Sequence, residues 1–320
     1  MILIVSQFIL SLFLLYAGAE LVVNSSILLS NRFRVPRLII GLTVVSLATS
    51  LPEFFVSLQA ALIGLHEFAI GNVIGSNISN LTLVLGLTAL ICPILLRKEE
   101  IILQYLPLIC ITVFFVISFL FFNTFSLVYA FLAIILLSIF NIILFKYGKK
   151  IIQSEDCHLA NNNITIIGFK IVIKSLFLIM IFLIFGAILL WQGSDLLVSS
   201  SSSIASFFNL SDRVISLTLV ALGTSLPELI ACVYSAFKNE TKLAFGNLVG
   251  SNIFNILAVL GLTSLVTPIE LNMSLTYDVV VMLGATILLI PILYFGKNII
   301  TRLFGVVLLL IYLIYIMSIF

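Results

Sequence analysis

LTVVSLATSLPE at residues 42–53 returns as LTLVALGTSLPE at 217–228, and GNVIGSNISN at 71–80 returns as GNLVGSNIFN at 246–255. The offset is 175 residues in both cases, and aligning 41–93 with 216–268 needs no gap and matches 25 of 53 positions. The matches concentrate on Thr, Ser, Pro, Glu, Gly and Asn, which helices facing lipid have little reason to keep. Both copies lie inside long apolar stretches. Two copies of one polar apparatus within the bilayer point to an ion pathway built from internal repeats.

Composition agrees with a membrane chain. Hydrophobic residues make up 62% of the 320 and charged residues 9%, where a soluble globular domain carries roughly 25% charged residues. The expected fold class is all-α and polytopic. At about 20 apolar residues per crossing, spans are expected near 3–29, 37–63, 68–92, 102–122 and 125–146, then 171–199, 213–237, 243–267, 274–295 and 301–320. Stretches near 105–122, 280–295 and 304–320 are apolar all round and are expected to contact lipid. No basic n-region or small-residue cleavage site precedes the first stretch, so it reads as a span and not as a removed signal.

Ten spans divide five and five: a first repeat over 1–147, a cytoplasmic linker over 148–170 and a second repeat over 171–320. An odd number per half inverts the second copy, relating the repeats by a pseudo-two-fold axis in the membrane plane. With the N-terminus outside, 14 of the 15 Lys and Arg residues fall on the inner side, Arg213 being the exception. The positive-inside rule therefore places both termini outside the cytoplasm. A prokaryotic inner membrane is the expected location, with the bilayer as surroundings and no nucleic acid or obligate protein partner indicated.

Of 13 Asp and Glu residues, four are expected within spans: Glu20, Glu53, Asp195 and Glu228. Glu53 and Glu228 fall near mid-span, where an ionised carboxylate costs several kcal/mol unless compensated. No Lys or Arg lies at that depth, leaving a bound cation or a proton to neutralise them. Pro52 and Pro227 lack an N–H and break the helix just before each glutamate, freeing carbonyls that a cation can use. Thr49, Ser50, Thr224 and Ser225 add hydroxyls on the same turn. In the second motif, Gly71/Gly75 and Gly246/Gly250 allow close helix packing. Asn72, Ser76 and Asn80, spaced four apart, share a face, as do Asn247, Ser251 and Asn255. An all-oxygen donor set is the chemistry of Ca²⁺, which takes 6–8 such ligands. Glu20 and Asp195, placed towards the ends of their spans, fit either cation guidance at the two entrances or helix-end solvation. The serines 199–203 read as a tolerant helix end. Cys92, Cys110, Cys157 and Cys232 show no paired spacing, and His66 and His158 sit in loops, so no thiolate or imidazole metal site is expected.

ATSLPE with GNVIGSN, and GTSLPE with GNLVGSN, resemble the α1 and α2 repeats of the Ca²⁺/cation antiporter superfamily, most closely those of prokaryotic sodium/calcium exchangers. The resemblance covers nearly the whole chain. It implies an antiporter, with no enzymatic activity and no cofactor, that exchanges Na⁺ for Ca²⁺ by alternating access at the midplane. Its calcium ligands would be Glu53 and Glu228 with the carbonyls of Thr49 and Thr224. Ser50, Ser76, Ser225 and Ser251, with the carbonyls of Ser46 and Ala221, would form sodium sites, and Asn80 and Asn255 would complete the cluster. Proton-coupled members carry a second acid in the later motif, where this chain has amides. A Ca²⁺/H⁺ antiporter is the alternative, and a cation channel a more distant one.

Overall fold

The computed structural model describes residues 2–151, 163–166, 169–172, 175–207 and 223–319. Helices dominate because the apolar stretches must satisfy every backbone N–H and C=O internally once lipid surrounds them. In chain order they are α1 (Ile2–Phe33), α2 (Arg37–Thr49), α3 (Leu51–Leu62), α4 (His66–Ile91), α5 (Lys98–Phe121) and α6 (Leu127–Ile151). The second half has α7 (Leu176–Phe207), α8 (Leu226–Phe237), α9 (Thr241–Val266), α10 (Thr276–Phe295) and α11 (Arg302–Ile319). Among the described residues, eight single helices are long and apolar enough to cross a membrane, and α2 with α3 forms a ninth crossing bent by 44°. Residues 213–222 of the expected seventh span lie outside the described residues; α8 is its described part.

Three expectations are corrected. The sixth span starts at Leu176 and not at 171, because β4 (Phe169–Val172) pairs with β3 (Asn163–Ile166) as a hairpin. The serine run does not end α7: Ser200 Oγ donates to the Leu196 carbonyl at 2.6 Å and Ser203 Oγ to that of Ser199 at 2.9 Å, so their hydroxyls are absorbed by the preceding turn and the helix continues. α7 therefore extends past its expected end, α1 also runs on to Phe33, and Glu20 and Asp195 sit in helix interiors. Glu100, just before the expected fourth span, is fully buried and paired with Lys242 at 3.0 Å.

Glycines set how closely the helices approach. Where α1 crosses α7, a Cβ added to Gly18 would stand 2.8 Å from the Gly186 carbonyl, and one on Gly193 would stand 2.9 Å from the Leu15 nitrogen. Where α2 crosses α9, Cβ atoms on Gly246 and Gly250 would meet the carbonyls of Leu38 and Leu42 at 2.5 Å. These contacts bring backbones together, the packing that replaces hydrophobic burial as the driving force in lipid. The α9 span is 83% buried and the α11 span 17%, so α9 lies at the centre and α11 against lipid.

Short strand pairs tie the helix ends. At one end β1 (Ile94–Leu95) pairs with β6 (Ile299–Ile300), and Arg37 bonds Glu240. At the other, β2 (Thr124–Phe125) pairs with β5 (Ile269–Glu270), and the Glu270 N–H donates to His66 Nδ1 at 3.2 Å.

Candidate functional site

Pro52 and Pro227 dictate the local backbone. Each sits in the first turn of its helix, and the residue at the break, Ser50 or Ser225, leaves the helical region with φ/ψ of −89°/3° and −86°/1°. Proline is tolerated there because its missing N–H is already without a partner in the first turn. Glu53 and Glu228 follow at once in the first turns of α3 and α8, both fully buried. The positive ends of these helices favour the carboxylates.

Opposite them, α4 and α9 each contain a π-helical turn, Asn80–Val84 and Asn255–Val259, opened by Asn80 and Asn255. A third occupies Gly41–Val45 in α2. Such turns widen the helix and are frequent at functional sites.

The amides interlock across α4 and α9. Asn80 Nδ2 donates to Asn252 Oδ1 at 3.0 Å, and Asn255 Nδ2 donates to Asn77 Oδ1 at 3.2 Å. Asn77 and Asn252 in turn donate to each other's backbone carbonyls at 3.5 and 3.3 Å. With their nitrogens engaged, Asn80 and Asn255 keep their Oδ1 atoms buried and without a hydrogen-bond partner among the described residues. Thr49 Oγ1 donates to Asn247 Oδ1 and Thr224 Oγ1 to Asn72 Oδ1, each at 3.2 Å, joining the breaks to the asparagine helices.

The carboxylates are served unequally. Glu228 Oε1 accepts from Ser50 Oγ at 3.1 Å and from Ser251 Oγ at 3.3 Å. Both Glu53 side-chain oxygens, Glu228 Oε2 and Ser225 Oγ are buried and have no hydrogen-bond partner among the described residues. A group of buried oxygens, carboxylate and amide together, left without donors is a donor set for a hard cation. Ser76 Oγ donates to the Asn72 carbonyl at 2.7 Å, and Ser46 Oγ to the Leu42 carbonyl at 2.8 Å. Ala221 lies outside the described residues.

A cavity of about 560 Å³ reaches this cluster, lined among the described residues by Asn72, Ser76, Thr224, Trp191, Ser194 and Asp195. Its lining also includes Phe68, beside the His66 end of α4.

The sequence model of a family described as "Sodium/calcium exchanger protein" matches residues 3–146 and 178–320. The chain belongs to the sodium/calcium exchanger family. The inner membrane protein YrbG of Escherichia coli is 32% identical over 289 residues, covering 90% of this chain and 88% of that one. The sodium/calcium exchanger MaX1 of Methanosarcina acetivorans is 30% identical over 352 residues, covering 97% of each chain. A solved structure of the sodium-calcium exchanger NCX_Mj, soaked with zero Na⁺ and Ca²⁺, superposes with a TM-score of 0.82 at 32% identity, covering 100% of this chain and 99% of that one. This exchanger is thus a transmembrane antiporter of the cation-exchanging kind.

Two parts of its site are not legible as ligands in the sequence. Asn77 and Asn252 stand in the GSN motifs, yet they work by fixing the amides of Asn255 and Asn80. Ser57 accepts from Asn72 Nδ2 at 3.0 Å and donates to the Ala69 carbonyl at 3.2 Å, tying α3 to α4. Nothing in a motif marks Ser57; only the fold brings it there.

Proposed function

We propose that this exchanger moves Ca²⁺ in one direction and Na⁺ in the other through the cluster around Glu53 and Glu228, using alternating access. The observation that carries the reading is the set of donorless buried oxygens on Glu53, Glu228, Asn80, Asn255 and Ser225. Two carboxylates match one divalent cation in charge, and the amide, hydroxyl and carbonyl oxygens raise the count towards what Ca²⁺ takes. Thr49 and Thr224 offer their carbonyls at the breaks, while Ser50, Ser76, Ser225 and Ser251, with the carbonyls of Ser46 and Ala221, serve sodium. One Ca²⁺ or several Na⁺ satisfy the same carboxylates, so the ions compete. Empty, the buried carboxylates are costly, and the unloaded protein resists changing sides, which couples the two flows.

Sodium coupling is favoured over proton coupling because Asn80 and Asn255 stand where a further acid would take the proton. The repeated contacts at an offset of 175 residues, Thr49–Asn247 with Thr224–Asn72 and Asn80–Asn252 with Asn255–Asn77, support two five-helix repeats inverted about an axis through the cluster. Ten spans would bring both termini to one side, and the Lys and Arg distribution favours the outer one, with the β1–β6 end of the molecule facing the cytoplasm of a prokaryotic cell.

Equilibrium binding of labelled calcium to the purified protein tests the site. The wild type binds it and releases it as Na⁺ rises, whereas Glu53→Gln and Glu228→Gln, still monodisperse, lose binding by about 100-fold or more. Wild-type calcium affinity in either variant overturns the assignment.

A further inference from the structure

The π-helical turn that Asn255 opens in α9 redirects a backbone hydrogen bond. In a regular α-helix the Leu260 N–H would bond the Ile256 carbonyl, four residues back. Here it bonds the Asn255 carbonyl, five residues back. The Ile256 carbonyl thereby loses its α-helical donor, in a stretch where Asn255 and Ile256 are at most 1% exposed. A buried carbonyl needs another partner, and a side chain supplies one. Tyr129 Oη, on α6, donates to the Ile256 carbonyl at 3.0 Å.

The hydroxyl is held firmly. Tyr129 is buried, and its ring stacks on Phe125 with centroids 4.0 Å apart and on Phe114 at 5.6 Å. Phe125 belongs to β2, which pairs with β5 just beyond the end of α9. A tyrosine near the end of a membrane helix commonly turns its hydroxyl to the interface. This one, near the start of α6, turns it inward onto α9.

The other copy of the crossing does without it. In α4 the Leu85 N–H bonds the Asn80 carbonyl, so the Leu81 carbonyl loses the same donor. Gly261 approaches α6 at Ala130, and Gly86 approaches α11 at Gly305, the residue 175 positions after Ala130. At the place of Tyr129 stands Phe304, which has no hydroxyl and lies with its ring beside Gly296. Packing of this crossing therefore does not itself demand a tyrosine.

We infer that Tyr129 is a positioning residue for cation binding, its hydroxyl fixing the π-helical turn that aims Asn255 Oδ1 into the cluster. The inference rests on the reading of that cluster as the cation site and adds a residue that does not touch the ions. Asn255 is the first residue of the turn, its Nδ2 is spent on Asn77, and its Oδ1 is buried without a hydrogen-bond partner among the described residues. Moving the extra residue to the other side of Asn255 would turn that side chain by up to about 100° around the helix axis. Without the Tyr129 donor, the Ile256 carbonyl regains a partner only if the Leu260 N–H returns to it, which moves the turn.

Equilibrium binding of labelled calcium to the purified protein tests this. Tyr129→Phe keeps the ring and removes only the hydroxyl, and is expected to lower calcium affinity about fivefold, the weight of one neutral hydrogen bond. That loss should vanish when Asn255→Ala is already present and persist when Asn80→Ala is. In liposomes Tyr129→Phe should raise the KM for calcium and keep the maximal rate, as weakened binding does. Unchanged affinity overturns the inference. So does a loss that persists with Asn255→Ala, which is general loosening, or one that vanishes equally with Asn80→Ala. Should Tyr129→Phe fail to fold, Phe114→Leu removes one of the stacks that steady the ring. It should cost about twofold in affinity, again only while Asn255 is present, and no loss or a loss independent of Asn255 overturns the inference. If Asn255→Ala binds calcium like the wild type, Asn255 is no ligand and the cluster reading fails at that residue together with the inference. If Asn255→Ala weakens binding and Tyr129→Phe does not, the cluster stands and only the role of Tyr129 falls.

Discussion

Ser50 donates to Glu228 at 3.1 Å across the two breaks, whereas Ser225, its counterpart 175 residues on, has no hydrogen-bond partner among the described residues and leaves Glu53 unbonded on both side-chain oxygens. Two breaks with near-identical backbone angles thus support their glutamates unequally. Ser50→Ala removes one of the two donors to Glu228 Oε1, which in a buried setting costs about 1.5–3 kcal/mol. We expect it to lower thermal stability in detergent as well as transport. Ser225→Ala removes no hydrogen bond seen here, so its expected effect is a weaker sodium affinity at unchanged stability. Equal loss of stability in both variants contradicts the asymmetry.

Asn252 tests whether amide orientation matters. It accepts from Asn80 Nδ2 and thereby keeps Asn80 Oδ1 turned away from that contact. Asn252→Ala frees the Asn80 amide to rotate and leaves Asn77 without a reciprocal donor. The expected loss in calcium affinity is about tenfold, the weight of roughly one buried hydrogen bond to a ligand-holding group, read by labelled-calcium binding.

Glu100, fully buried, pairs with the half-buried Lys242 away from the cluster at 3.0 Å, and its Oε2 also accepts from the Arg97 N–H at 2.8 Å. Lys242→Met strands a fully buried carboxylate and is expected to destabilise the protein by about 3–5 kcal/mol. Adding Glu100→Gln should recover most of that loss, and a double-mutant cycle in thermal or denaturant unfolding measures the coupling.

Gly250 and Gly284 are predicted to differ sharply. A Cβ on Gly250 would stand 2.5 Å from the Leu42 carbonyl and 2.7 Å from Ser46 Oγ, while one on Gly284 meets nothing within 4 Å among the described residues. Gly250→Ala therefore forces α2 and α9 apart at a cost of about 1–3 kcal/mol and displaces the helix that carries Ser46 and Thr49. Gly284→Ala is expected to be neutral or stabilising by up to about 1 kcal/mol. Melting temperatures of the two variants check the pair.

Much of this was legible from residue type and spacing. The proline breaks and the buried mid-span glutamates follow from TSLPE read within apolar helices, and GxxxG marks the close approach at Gly246 and Gly250, but not that its partner is α2 of the other half, nor that among the described residues Gly71 and Gly75 have no such neighbour. The extent of α7 was not, because a serine run that bonds back to its own helix looks in sequence like a helix end. The burial of Glu20 and Glu100 was missed for a related reason: each depends on a partner far along the chain, Tyr234 or Lys242, which only the tertiary fold supplies. The π-helical turns opened by Asn80 and Asn255 were likewise not read from the motifs.

The central claim is sodium-for-calcium exchange through Glu53 and Glu228. The purified protein, reconstituted in liposomes loaded with Na⁺ and diluted into Na⁺-free medium with labelled calcium at equal pH on both sides, tests it most directly. Calcium uptake that disappears when the Na⁺ gradient is removed, and that Glu53→Gln and Glu228→Gln each abolish, is the predicted result. Uptake that ignores the Na⁺ gradient and follows only an imposed pH gradient contradicts the claim and makes the protein a proton-coupled antiporter.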